Sequence, residues 1–381
     1  MKIAINALCI GFANNAQRSG TSRYAENLLL ALSKLDSSNQ YLVLLRNDEK
    51  HSPLLLGTNF TKTHAPSWAN KPRGRIFWEN LAAPSLVRQF GADIYHCLLN
   101  ASPFRFPCPT LVTIHDLAPF ACPETYPLFQ RSYQQWAIRH SVRKASYLFT
   151  PTQAVQTQIV ERFSVSDDRI VATGEGANLE FRPLSLERTS AWRRTRNLPE
   201  VFFLFVGNLE PRKNLLSLLR AYADWKKTRN SPVVPLYIVG AKAWKYSTTL
   251  SAISELGLND CVFLQGYVPD SELPYWYNCA QSLIYPSSYE GFGLPPLEAM
   301  ACGCPVVTSL DPALREVGAD AAVALDPNDT RAFSLILEQM THPSSRSIYS
   351  KKSLDRASKY SWDKTASHTL QTYLHCGPML K

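Results

Sequence analysis

Several signatures that would settle a function at once are missing from this sequence, and each omission removes a class of protein. There is no GxGxxG fingerprint and no GxxxxGK[ST] loop, so a simple dinucleotide-dependent dehydrogenase and a P-loop ATPase are poorly supported. No Asp-x-Asp triplet occurs, which removes the usual means of holding Mg²⁺ or Mn²⁺ on a diphosphate. The nine cysteines form neither a CxxC pair nor a spaced Cys/His set. They read as reduced thiols of a cytosolic protein, with Cys302 and Cys304 packing rather than reacting. The longest apolar runs, such as Val201 to Val206, fall far short of a membrane span. MKIAINALCI is not followed by a small-residue cleavage pattern, so a cytoplasmic location is expected. Arginine-rich and RNP-like patterns are also lacking, so nucleic acid is not an expected partner.

What remains is a chain of 381 residues, 45% hydrophobic, with a net charge of +9. That length suggests at least two domains. Residues 1–190 hold 20 Lys and Arg against 14 Asp and Glu, so the positive excess leans to the first half. Short apolar runs alternate with helical patterns throughout, which predicts parallel sheets covered by helices on both faces. The clearest strands of the first half are Ile3–Leu8, Tyr41–Leu45, Ile94–Cys97, Leu111–Ile114 and Tyr147–Thr150. Those of the second are Phe202–Val206, Leu236–Val239, Val262–Leu264, Leu283–Tyr285 and Val306–Thr308. Arg182–Pro199 is basic, bounded by proline and without a strand pattern, and reads as the connection. The expected domains are therefore 1–182 and 196–361, two doubly wound α/β units with crevices at the carboxyl ends of their strands.

Residues 284–308, IYPSSYEGFGLPPLEAMACGCPVVT, read as strand, glycine loop, helix and strand. Gly291 and Gly293 keep Glu290 on the loop, Pro295 and Pro296 open the helix that carries Glu298, and Gly303 ends it. Bare backbone N–H groups ahead of a helix N-terminus suit a polar, anionic ligand. In FFLFVGNLEPRKN a strand is followed by the turn at Gly207 and then by Arg212 and Lys213, a forked guanidinium and an ammonium suited to a diphosphate. Gly20 and Thr21, in SGTSRY before a helix, either present N–H groups to a phosphate or belong to an ordinary loop. His115 and Asp116 end a strand in LVTIHDLAPF, where the histidine either faces a site or packs under a loop; His96 in DIYHC leaves the same choice open. The helix Leu128–Lys144 carries Arg131, Arg139, Arg143 and Lys144 with Phe129, Tyr133 and Trp136. It is either a solvated helix with one core face or a contact with an anionic membrane.

Together, SGTSRYAENLL, DIYHC, TIHDLAPF, GNLEPRKN, the segment Ser287 to Thr308 and the tail YSWDKTA resemble the retaining glycosyltransferases of family 4, nearly end to end. The HDLAPF form is similar to bacterial mannosyltransferases of polysaccharide and O-antigen assembly. The resemblance implies a GT-B fold, two Rossmann-like domains facing across a cleft, with a final helix at about 362–381 crossing back onto the first. It implies metal-independent, retaining transfer from a nucleotide sugar, GDP-mannose by preference, to an oligosaccharide or lipid-linked acceptor, with no cofactor. Glu298 would hold the donor's ribose and Glu290 its sugar hydroxyls. Arg212 and Lys213 would bind the leaving diphosphate. Backbone N–H groups of Phe292, Gly293 and Leu294 would fix the sugar ring, Gly20 would face the phosphates and His115 would approach the sugar. Where the family has GGxGRY, TVS and NGVD this chain has SGTSRY, TPT and GEGAN, departures that bear on donor and acceptor identity. The alternatives are a UDP-sugar donor such as UDP-glucose, epimerisation of such a sugar, or a catalytically silent sugar-nucleotide-binding subunit. Peripheral contact with an anionic inner membrane is a further expectation.

Overall fold

The computed structural model describes residues 1–11, 20–48, 54–105, 107–229, 231–243 and 246–379. Most of the Gly11–Ser22 loop, Ser19 of SGTSRY included, therefore lies outside the described residues. The chain divides into unit 1, Met1–Gly176 with Ser361–Lys381, and unit 2, Ala177–Tyr360.

Unit 1 holds a seven-stranded parallel sheet of β1 (Lys2–Asn6), β2 (Gln40–Leu45), β3 (Phe60–His64), β4 (Ile94–Cys97), β5 (Thr110–Thr113), β6 (Tyr147–Thr150) and β7 (Ile170–Ala172). The order is β3-β2-β1-β4-β5-β6-β7. Ile3, Ala4 and Ile5 are fully buried, as expected for a central strand covered on both faces. The helix Gly20–Leu35 buries Leu28, Leu29 and Leu32, and the final helix, Trp362–Met379, packs beside it, with Tyr24 edge-on to Trp362 at 5.9 Å. Tyr373 of that helix reaches His96 Nδ1 at 2.6 Å, while His96 Nε2 lies 2.9 Å from Thr113 Oγ1. Burial lowers the pKa of His96 to about 3; it is a core histidine.

Unit 2 holds a six-stranded parallel sheet of β8 (Phe203–Val206), β9 (Leu236–Val239), β10 (Val262–Gly266), β11 (Ser282–Tyr285), β12 (Val306–Ser309) and β13 (Ala322–Leu325), ordered β10-β9-β8-β11-β12-β13. Its core joins Phe203 and Phe205 to Leu218, Leu219, Tyr222 and Trp225 of the helix Leu215–Thr228. Burying each such side chain contributes roughly 1.5–3 kcal/mol. The chain builds outward from β8 to β10 and then returns to the other side of β8 as β11, where Leu283 pairs with Leu204. This reversal sets the loops after β8 and after β11 side by side at the carboxyl edge, the usual ligand position of such sheets.

Two expectations need correction. The stretch 182–199 is not the connection: Leu186–Thr195 is a helix of unit 2, capped by Ser185, with Trp192 stacked on Tyr275 at 5.5 Å and edge-on to Trp276 at 5.3 Å. The chain crosses instead at Gly176/Ala177 and returns at Tyr360/Ser361. The two crossings touch there, for a Cβ added at Gly176 would stand 2.4 Å from the Trp362 nitrogen. The sequence reading also omits β3, β7 and β13. All three are sheet edges; Phe60–His64, FTKTH, is largely polar, while Ile170–Ala172 and Ala322–Leu325 are apolar but only three and four residues long and partly exposed.

Candidate active site

The residues after β8 form a short 3₁₀ turn, Pro211–Lys213, closed by Asn214 in the left-handed conformation. This turn aims Arg212 and Lys213 toward the loop that follows β11. One Arg212 nitrogen donates to Glu290 Oε2 at 2.9 Å and to the Tyr289 carbonyl at 2.7 Å, and the other donates to Glu210 at 2.8 Å. Lys213 Nζ donates to Glu290 Oε1 at 2.5 Å and to the Tyr285 hydroxyl at 2.6 Å, and that hydroxyl donates to Glu290 at 2.9 Å. Two cations thus face two carboxylates in a partly buried cluster around the buried Glu290, an arrangement that holds only because each partner compensates the other. Burial alone would raise the pKa of Glu290, but Arg212 and Lys213 hold it down to about 2. Burial lowers that of Lys213 against the pull of Glu290. Both burial and Glu290 keep Tyr285 protonated far beyond its usual range.

The sequence reading places Glu290 on the donor's sugar hydroxyls. In the structure both its carboxylate oxygens engage Arg212, Lys213 and Tyr285, so it fixes the direction of the cations. Tyr285 was missed because, as the last residue of an apolar strand, it looks like core. Asp311 was missed as well: it accepts from the Glu290 backbone N–H at 3.3 Å and caps the helix Pro312–Gly318 through Leu314 N–H at 3.0 Å. Burial raises its pKa to about 6.

Around the cluster, close backbone approach dictates glycine. Gly207 follows β8 beside Gly240, and a Cβ on Gly240 would lie 1.9 Å from the Gly207 carbonyl oxygen. Gly293 has φ 100° and precedes the helix Leu294–Ala301, whose first turn holds Pro295 and Pro296. Phe292 is buried edge-on to Tyr360 at 5.6 Å. The backbone N–H groups of Phe292, Gly293 and Leu294 therefore stand at a helix start. Glu298, on that helix, is buried and accepts from the Tyr277 hydroxyl at 3.0 Å. Cys302 and Cys304 are buried and burial raises both thiols, which makes them packing residues.

His115, Gly20 and Thr21 belong to unit 1. Gly20 and Thr21 open the helix Gly20–Leu35. His115 is buried beyond β5, with Nε2 donating to the Leu98 carbonyl at 2.9 Å and its ring edge-on to Tyr24 at 4.8 Å. Burial lowers its pKa, so the ring is neutral with the proton on Nε2 and Nδ1 as an acceptor. Among the described residues, no group of three or more His, Cys, Asp and Glu side chains could hold a metal ion.

Comparison with known proteins fits this arrangement. The family described as Glycosyl transferases group 1 matches residues 188–357, and Glycosyltransferase Family 4 matches residues 18–181. An O-antigen chain mannosyltransferase B of Escherichia coli is 33% identical over 289 residues, 75% of each chain. Among solved structures, a sucrose-phosphate synthase from Thermosynechococcus elongatus superposes with a TM-score of 0.79 at 20% identity, over 99% of each chain. The Anabaena protein Alr3699/HepE, in complex with UDP-glucose, gives 0.74 at 17% identity, over 98% of this chain and all of that one. The fold is the GT-B fold.

Proposed function

This chain belongs to the glycosyltransferases of group 1 and family 4, and on that premise we propose that it moves mannose from GDP-mannose to a glycan or lipid-linked acceptor in O-antigen or polysaccharide assembly. The transfer retains configuration and requires no metal ion. The observation that carries this reading is the Arg212–Glu290–Lys213 cluster at the carboxyl ends of β8 and β11. Departure of a nucleoside diphosphate develops negative charge on the leaving oxygen. Preorganised cations aimed at that oxygen lower the barrier where the charge grows. Lys213 has given two of its three donors to Glu290 and Tyr285; the third serves the diphosphate. The Phe292, Gly293 and Leu294 N–H groups hold the sugar, and Glu298, oriented by Tyr277, takes the ribose hydroxyls. His115, neutral with Nδ1 as acceptor, suits a sugar hydroxyl better than a proton-donating role. The acceptor attacks from the face the diphosphate leaves and its proton passes to a diphosphate oxygen, so no dedicated base is needed.

The test is product analysis of purified protein with GDP-mannose or UDP-glucose, in EDTA, across lipid-linked and oligosaccharide acceptors. An α-mannoside, identified by the anomeric coupling of its NMR signal, is expected from GDP-mannose. A β-linked product, transfer that needs added Mg²⁺, or preference for UDP-glucose would each overturn the corresponding part of the reading.

A further inference from the structure

Unit 2 carries a polar groove of about 710 Å³ between the helices Leu215–Thr228 and Thr330–Thr341. Small-ligand sites occupy roughly 300–1,000 Å³. The helix Leu215–Thr228 starts directly after the Arg212–Lys213 turn and its closing Asn214. Trp225, in the groove lining, therefore lies about 15 Å along the helix from that turn, at 1.5 Å per residue. The ion pair of Arg229 and Glu338 forms one wall. Each of the two side chains is fixed by one arm. Arg229 lies over the Trp225 ring at 4.8 Å, donates from Nε to the Pro232 carbonyl at 2.9 Å and from Nη1 to Glu338 Oε2. Glu338 Oε2 also accepts from Trp225 Nε1 at 2.8 Å. The other arms, Arg229 Nη2 and Glu338 Oε1, have no partner among the described residues. The Arg229 side chain is only 9% exposed, yet Nη2 is not sealed from solvent, so this donor faces the groove. Arg331, on the facing helix, is exposed and likewise has no partner among the described residues.

The chemistry of the lining selects the guest. Of the ten described lining residues eight are polar, and an apolar ligand would leave them without hydrogen-bond partners. Their charges cancel, Arg229 and Arg331 against Asp224 and Glu338, so net charge favours neither an anion nor a cation. Thr228 and Ser334 donate their hydroxyl protons to the Trp225 and Thr330 carbonyls, which leaves them lone pairs to offer. Trp225 is buried, and Leu335, 65% exposed, supplies the open apolar surface. An unused donor and an unused acceptor on one fixed ion pair match neighbouring hydroxyls of a sugar ring. One hydroxyl accepts from Arg229 Nη2 and the next donates to Glu338 Oε1, both charge-assisted, while the C–H face of a ring suits Leu335. We propose that this groove is an ancillary site for a neutral oligosaccharide, separate from the transfer site. The proposal goes beyond the transferase reading, and binding is measured without turnover, so either can fail alone.

Hydrogen exchange of the full chain, followed through a titration with a neutral mannotriose, tests it, with inorganic phosphate as the anionic comparison. Slower exchange in 224–231 and 330–338 is expected with the trisaccharide and not with phosphate. Arg331→Ala/Leu335→Ala removes two exposed side chains and leaves the core intact, and should raise the concentration needed for that protection about tenfold or more. Glu338→Gln, which keeps the shape of the wall and removes its charge, should act in the same direction. Circular dichroism confirms that each variant is folded. Protection confined to the loops after β8 and β11 overturns the proposal, because the trisaccharide then occupies the transfer site alone. Unchanged protection in the double variant overturns it as well, and protection by phosphate in place of the trisaccharide would make the groove an anion site instead.

Discussion

Units 1 and 2 wind parallel sheets around the same kind of strand reversal, yet they use charge in opposite ways. In unit 2 the charged side chains near β8 and β11 are half-buried or buried, matched cation to carboxylate and held within hydrogen-bonding distance. In unit 1 the Leu128–Lys144 helix carries Arg131, Arg139, Arg143 and Lys144 among aromatic residues and holds no carboxylate of its own. A buried, matched cluster has one geometry and suits chemistry. Cations without carboxylates on their own helix are held to no single geometry. The fold supplies the position, and the local balance of charge decides what that position can do.

The sharpest way to break this contrast is to unbalance the buried cluster. Lys213→Ala should lower kcat about 10²–10³-fold, with a loss of stability from the under-compensated Glu290; turnover within tenfold of normal would remove Lys213 from the chemistry. Next in size, Gly240→Ala should destabilise unit 2 by about 3 kcal/mol or more, because its Cβ lands on the Gly207 carbonyl; urea denaturation measures this.

A third test concerns pH. The depressed pKa of Glu290 contributes stability that is fully present above its ordinary value of 4.5 and is lost as pH falls through about 2. Glu290→Gln should therefore lower stability at neutral pH and flatten the acid limb of a stability–pH profile, and an unchanged limb would locate the acid sensitivity elsewhere. Glu298→Gln should weaken donor affinity about tenfold with little change in kcat, read by calorimetry beside kinetics. The smallest effect is expected across the units: Phe129→Ala/Trp136→Ala should leave donor affinity in solution within about twofold.

Much of this was legible because central strands and glycine turns are local in their causes. Phe203–Val206 and Ser282–Tyr285 are buried on both faces and read as unbroken apolar runs. Edge strands such as Phe60–His64, FTKTH, read as polar. The helix Leu186–Thr195 buries no residue of its own, so it shows no stripe to distinguish it from a basic linker. Glu290, Arg212 and Lys213 could be singled out by residue type and loop position. Their mutual pairing could not, because they stand 77 and 78 residues apart and meet only through the β8–β11 neighbourhood. In unit 1 the basic helix Leu128–Lys144 was visible as such, while the meeting of its Trp136 with Phe104 depends on tertiary contact alone.

The contact of Gly176 with Trp362 has a consequence for how such proteins can be rebuilt. Unit 2 begins and ends at a single spot on unit 1, so topologically it is an insert with both seams together. Residues 177–360 could be removed and a few flexible residues placed between Gly176 and Ser361 without moving either end of the remaining chain. The same seams allow the corresponding segment of a relative to be grafted in as a cassette. Recombination at these two points exchanges one half of the protein whole, leaving the sheet and the returning helix of the other half uncut.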